Sequence, residues 1–178
     1  MKYFDELKKS MDFLSKKKNT IFLGQAVEYP GTAIFNTLKD VNYNKKIEFP
    51  VSEEMQMGVT LGMSMTGHVP ISIYPRWNFM LLATNQLVNH IDKFNQMTKK
   101  KFNQKIIIRT AVGSERPLHP SFQHVGNFSK EFASICKNIE FIDLKETKDI
   151  FPSYKKAYNR KDNKTTVLIE YGDFYNEK

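Results

Sequence analysis

Apolar and polar positions recur in two periods along this chain, and the switches between them mark its elements. Residues 3–17 place Phe4, Leu7, Met11 and Leu14 at helical spacing with Lys and Asp between them, the pattern of a surface helix with one buried stripe. Thr20 to Leu23 is a short apolar run closed by Gly24, which reads as a buried strand. Gln25 to Gly31 is a loop carrying Pro30, and Thr32 to Leu38 reads as a short helix. Lys46 to Phe49 is a second strand. Val69 to Tyr74 is a third, with β-branched Val69, Ile71 and Ile73, and Pro75-Arg76-Trp77 breaks it. Asn78 is expected to cap a long helix running to about Lys100, with Phe79, Leu82, Leu87, Ile91 and Phe94 near one side. Lys105 to Thr110 holds three consecutive isoleucines, as a central parallel strand does. A helix over 128–136, a strand over 139–143, a helix over 146–159 and a last strand from Thr165 to Glu170 complete the chain.

Strands and helices alternate throughout. That order predicts an α/β three-layer sandwich with a mostly parallel sheet. No internal repeat, linker or low-complexity tract divides the chain, so one domain over 1–178 is expected.

The chain is organised around Glu48-Phe49-Pro50-Val51-Ser52-Glu53-Glu54 and the helix that follows. Ser52 is placed as its N-cap, with two acids in the first turn, where orphan N–H groups and the helix dipole favour oxygen and negative charge. Beyond that turn nearly every residue is apolar or small: Met55, Met57, Gly58, Val59, Leu61, Gly62, Met63, Met65. A helix apolar on nearly every face is expected to be buried. Gly58 and Gly62 share one face and would admit a close neighbour. The acids therefore lie at the mouth of a buried helix beside a strand end, where parallel sheets bind ligands. Acids at a helix start are, in the plain reading, dipole partners, and the local pattern does not choose between Glu53 and Glu54.

Composition narrows the classes. The 178 residues are 40% hydrophobic and 13% aromatic, a globular composition with enough chain for a real core. The net charge of +8 raises nucleic acid as a partner, but the lysines are scattered over Lys8-Lys9, Lys16 to Lys18, Lys99 to Lys101 and Lys155-Lys156, with no nucleic-acid-binding signature beside them. A solvated basic surface and no nucleic-acid partner are expected. One cysteine, Cys136, excludes an intrachain disulfide and is placed in the core. The N-terminus lacks a signal-like apolar core and no run approaches a membrane span, so a cytoplasmic protein without membrane association is expected. No metal-ligand spacing occurs along the chain.

The ordered motifs resemble the pyrimidine-binding domain of thiamine-diphosphate enzymes of the transketolase superfamily, and most of all the beta chain of the 2-oxoacid dehydrogenases, pyruvate and branched-chain types. Pro50, Ser52, Glu53 and Gly58 match the family's proline, Ser or Ala, Glu, and later glycine. Gly62, Gly67 and Pro70 continue it. Asn78-Phe79 and Asn85-Gln86-Leu87-Val88-Asn89 resemble the aromatic-rich helix start and the D-Q-I-V-N signature, with Asn replacing the usual Asp. Arg109-Thr110-Ala111-Val112-Gly113 resembles R-T-P-V-G, Gln123-His124 resembles Q-H-S, and Val167-Leu168-Ile169-Glu170 resembles the last strand. Two departures stand out. The family's beta chains carry a second domain, and this sequence stops where its linker would begin. The metal and diphosphate motif G-D-G is also missing, since Gly172-Asp173-Phe174 does not match it.

The resemblance implies the thiamine-diphosphate-binding, pyrimidine-module fold and half of a split active site. Glu53 would hold the pyrimidine N1′ and so help the cofactor, which supplies the carbanion chemistry. Phe79 would stack on the pyrimidine, Gln25 and Val51 would touch the cofactor, and His124 would act on the substrate side as acid or base. His119 is a second substrate-side candidate. Arg76, with Trp77, would line the substrate approach, the guanidinium holding a carboxylate or phosphate; a plain surface arginine is the alternative. A separate diphosphate-binding subunit with a G-D-G motif would hold Mg²⁺ and the diphosphate, in a homodimer or heterotetramer. The activity implied is decarboxylation of a 2-oxoacid or two-carbon transfer from a ketose, a transferase, lyase or oxidoreductase reaction by an enzyme active only with its partner. The alternative is a catalytically silent structural or regulatory subunit with the same fold.

Overall fold

The computed structural model describes residues 2–116 and 119–176. Six strands, β1 (Thr20–Gly24), β2 (Lys46–Glu48), β3 (Val69–Tyr74), β4 (Ile107–Val112), β5 (Ile139–Asp143) and β6 (Thr165–Tyr171), form one sheet in the order β2-β1-β3-β4-β6-β5. Every pairing is parallel. The helices are α1 (Tyr3–Ser15), α2 (Ala33–Thr37), α3 (Glu53–Met65), α4 (Trp77–Met80), α5 (Phe94–Met97), α6 (Ser129–Ile135) and α7 (Thr147–Asn159).

Two cores cover the two faces of the sheet, and strand periodicity assigns residues to them. Phe22, Ile71, Ile73, Ile107 and Leu168 face a cluster with Leu7, Met11 and Leu14 of α1 and Ile150 and Tyr154 of α7. Ile106, Ile108, Val167 and Ile169 face the other way, onto Met57 of α3, Trp77, Leu87, Ile91 and Phe132. Adjacent residues thus serve opposite layers because side chains alternate across a strand. The parallel sheet and its helical layers match the expected fold.

Several local expectations are corrected. The long helix from Asn78 is broken into α4, a 3₁₀ turn at Leu81–Ala83, a π-helical stretch at Gln86–Ile91, and α5. Asp92 N–H donates to Leu87 O, five residues back, at 2.9 Å. Its buried carboxylate meanwhile accepts the Asn138 N–H at 2.7 Å. Tertiary bonding of this kind outweighs regular helix geometry, and π segments commonly arise where it does. Strand β4 lies two residues later than expected because Ala111 and Val112 pair with Glu170 and Tyr171. Ser52 is the N-cap of α3 by position, but its side chain makes no capping hydrogen bond. Nor is α3 buried all round, since Met55 and Met65 are exposed.

Among the described residues, no helix is long and apolar enough to cross a membrane.

Candidate functional site

The C-terminal ends of β1, β2 and β3 bring the sequence-singled residues to one end of the sheet. Glu53 opens α3 and is 4% exposed. Its Oε1 accepts a hydrogen bond from Gln25 Nε2 at 3.0 Å. The neighbouring Tyr74 hydroxyl donates to the Glu53 carbonyl at 3.3 Å. Burial pushes the Tyr74 phenol above its ordinary pKa, and the Glu53 charge adds to the effect, against a hydrogen bond with Ser72. Glu54, by contrast, is exposed and accepts long hydrogen bonds from Asn85 Nδ2 at 3.4 Å and Gln86 Nε2 at 3.5 Å. The fold separates the two acids that local pattern left equivalent.

The loop that Gln25 opens is held by a carboxylate whose role local pattern does not reveal. Glu48, at the end of β2, turns its carboxylate onto three successive backbone N–H groups of the loop after β1. Oε1 accepts from Ala26 at 2.8 Å, and Oε2 from Val27 and Glu28 at 2.8 and 2.9 Å. Three such donors form a nest for a negative charge. Ala26 sits at φ 60°, the left-handed conformation this turn needs. Gly24, two residues earlier, has φ 144°, and a Cβ there would lie 2.1 Å from Ile73 O. The available signal was the acid itself, the last residue of a short strand beside a loop of free N–H groups.

Phe79 and His124 also meet, with ring centroids 5.5 Å apart and planes at 61°. His124 lies in a 3₁₀ turn, Phe122–His124, and its Nδ1 is buried with no hydrogen-bond partner among the described residues. His119 makes other contacts. It is exposed, accepts the Ser121 N–H at Nδ1, and lies 3.5 Å from Glu115 Oε2. Arg76 lines a separate cleft of about 290 Å³ with Thr32, Ala111, Ser114 and Tyr175. Val51 is 80% exposed. Trp77, expected on the substrate approach, is instead fully buried, stacked on Phe141 and edge-on to Phe128. The structure therefore assembles two pairs, Gln25–Glu53 and Phe79–His124, and gives Arg76, His119 and Val51 separate surroundings.

A larger buried polar group lies within the α1/α7 layer. Arg109 Nε donates to Glu170 Oε1 at 2.5 Å and Nη2 to Oε2 at 2.9 Å, while Nη1 reaches Thr37 Oγ1 at 2.8 Å. The Tyr154 and Tyr175 hydroxyls also donate to Glu170. All the ions are fully buried, so each stands on the others' pairing.

Residues 7–175 match the family described as transketolase, pyrimidine binding domain. The pyruvate dehydrogenase E1 component subunit beta of Cyanidium caldarium is 27% identical over 126 residues, 68% of this chain and 38% of that protein. The mitochondrial subunit of Drosophila melanogaster is 24% identical over 162 residues, 89% of this chain and 43% of its own length. The chain thus spans about two fifths of these relatives. Among solved structures, a split-gene transketolase, described as an inactive beta4 tetramer, superposes with a TM-score of 0.69 at 15% identity, over 96% of this chain and 51% of that one. Transketolase from Campylobacter jejuni superposes with a TM-score of 0.72 at 11% identity, over 94% of this chain and 25% of that one.

These findings correct one expectation. The resemblance implied an enzyme active with a partner subunit, whereas the split-gene structure sharing this fold is of an inactive assembly. No group of three or more His, Cys, Asp or Glu that could hold a metal occurs among the described residues. By the match of nearly its whole length and by its parallel sheet, the chain belongs to the transketolase pyrimidine-binding domain family.

Proposed function

We propose that this chain is a catalytically silent subunit, which keeps the pyrimidine-binding fold and serves a structural or regulatory part in a multi-chain assembly. The observation that carries this reading is the open apolar face of α3. Met55 is 49% exposed and Leu82, on the segment packed beside α3, 66%. Met55, Val59 and Gly62 follow one another at helical spacing along one stripe, and a Cβ at Gly62 would meet nothing within 4 Å. A contiguous apolar face of this kind calls for a partner surface. The beta4 assembly of the split-gene transketolase supports a second copy of the chain as that partner.

Glu53, Gln25, Phe79 and His124 fit the pyrimidine half of thiamine diphosphate: a buried carboxylate with an amide beside it, and an aromatic ring. They do not fit the diphosphate half. Mg²⁺ and the diphosphate would be held by a separate diphosphate-binding subunit, the partner that this oligomer scaffolds. No reaction step is assigned to the chain.

The test is light scattering on the purified chain, with Met55→Glu/Val59→Glu and Glu53→Gln beside it, and proton exchange at C2 of thiamine diphosphate with Mg²⁺ after co-purification with a G-D-G-containing diphosphate-binding chain. An oligomer that the double variant dissociates and Glu53→Gln leaves intact, without C2 exchange, is expected. A monomer at every concentration, or C2 exchange that Glu53→Gln abolishes, overturns the reading.

A further inference from the structure

The opposite end of the sheet, where β1, β3, β4 and β6 begin, carries a cleft of about 430 Å³ whose lining is cationic and amide-rich. Lys105, Arg160, Lys161 and His68 contribute to it, with Asn19 and Asn103. Glu53, Gln25 and Arg76 are at the other ends of these strands, so the cleft is distinct from the candidate site above.

The charges in the cleft are unevenly compensated. Arg160 is anchored. Its side chain is 8% exposed, it donates through Nε to Asp162 Oδ1 at 2.7 Å and through Nη2 to Oδ2 at 2.9 Å, and it lies 3.3 Å from Glu140 Oε2. It also bonds Thr166 Oγ1. Glu140 pairs with Lys156 as well, at 2.5 Å. The nearby acids are thereby committed. Lys105 and Lys161 have no ion pair among the described residues; Lys105 Nζ instead sits 5.3 Å above the Tyr158 ring. His68 Nδ1 bonds Thr66 Oγ1 at 3.0 Å, and its Nε2 has no partner among the described residues.

Burial, then the charges of Arg160 and Lys161, hold the Lys105 ammonium below the ordinary lysine pKa. A cation kept in a concave site against its own solvation and beside like charge is stabilised by an incoming anion. The cleft is within the size range of small-molecule sites. The net charge of +8 adds long-range attraction for such a ligand.

We propose that the cleft bordered by Lys105, Lys161, Arg160 and His68 binds a small phosphate-type anion, either free phosphate or the phosphate group of a phosphorylated metabolite. The lysines supply point charges, and the asparagine amides supply directional hydrogen bonds.

Calorimetric titration of the full chain in low-salt buffer tests this with two probes, inorganic phosphate and glycerol 3-phosphate, and a single-stranded oligonucleotide as control. Saturable one-to-one binding is expected. A tighter fit for glycerol 3-phosphate identifies an organic phosphate as the ligand, and equal or tighter binding of phosphate identifies the free ion. Lys105→Ala should weaken binding at least about tenfold, which is about 1.4 kcal/mol. Lys161→Glu, at an exposed position, gives the same reading should the half-buried Lys105 variant fail to fold. Amide shifts on titration should centre on Asn19, His68 and Asn103. Absence of binding by both phosphate probes overturns the proposal. So does binding that a folded Lys161→Glu chain retains in full, or steeply salt-dependent oligonucleotide binding without phosphate binding.

Discussion

Gln25 and Glu53, twenty-eight residues apart in sequence, are joined by a 3.0 Å hydrogen bond from the amide Nε2 to the carboxylate Oε1. One residue opens the turn after β1 and the other begins α3, so the bond ties that turn to the helix start at the C-terminal end of the sheet. It also holds an acid that is 4% exposed.

Gln25→Ala removes this donor and leaves Glu53 with one fewer partner in a buried place. The variant should lose about 1–3 kcal/mol of stability, the cost of an unsatisfied buried acceptor. Glu53→Gln keeps an acceptor for Gln25 and should cost less. Urea unfolding of both variants measures the difference, and equal stability of Gln25→Ala and the parent chain would show the bond to be incidental.

Glu48→Ala strips the loop after β1 of the carboxylate that accepts three backbone N–H groups. Charge-assisted bonds of this kind are stronger than neutral ones, and a loss of about 2–3 kcal/mol is expected. Hydrogen exchange at Ala26, Val27 and Glu28 should accelerate together. Unchanged exchange at these three amides would contradict the role assigned to Glu48.

Arg109 and Glu170 are fully buried against each other. Glu170→Leu leaves the guanidinium uncompensated and should destabilise the fold by about 3–5 kcal/mol, whereas Arg109→Met with Glu170→Leu should recover much of that. A double-mutant cycle in denaturant is the check. A double variant no more stable than Glu170→Leu alone would argue that packing, not charge, governs this layer.

Alkaline pH should unfold the chain through its tyrosines. Burial, then the Glu170 charge, push the Tyr154 and Tyr175 phenols well above their ordinary value, and Arg109 offsets part of this. Burial and the Asp143 carboxylate push Tyr171 up to about 12. A phenol whose pKa is raised by folding stabilises the fold while it is protonated. That contribution is whole below the unfolded value near 10 and is lost as pH rises through the folded value. Thermal melts between pH 9 and roughly 12 should fall steadily, with tyrosinate absorbance appearing at the unfolding transition. Tyrosinate absorbance developing fully around pH 10 in the folded chain would refute this.

Local pattern read the strands well, because a parallel strand buried on both faces leaves an apolar run that few other elements leave. Ile106, Ile107 and Ile108 announced β4 even though the pairing with β6 moved its bounds to Ile107–Val112. The segment after Trp77 was read less well. Its apolar residues fit a helical period, but Asp92 and Asn95 bond to Asn138 and to Asn163 O, across the fold, and the helix breaks around those commitments.

The amino-acid order by itself determined the alternation of strand and helix, the apolar faces that make two core layers, and the place of an acid pair at the start of α3. Those properties follow from neighbours along the chain. Only the tertiary structure decided that Glu53 is buried and Glu54 exposed, that Gln25 and Glu48 fix the loop beside Glu53, and that Phe79 meets His124. It likewise decided that α3 keeps an open apolar side, and that Lys105 and Lys161 gather without acid partners among the described residues. Burial and hydrogen-bond geometry are set by residues brought together from distant strand ends, and no local period encodes which of two adjacent acids will face inward.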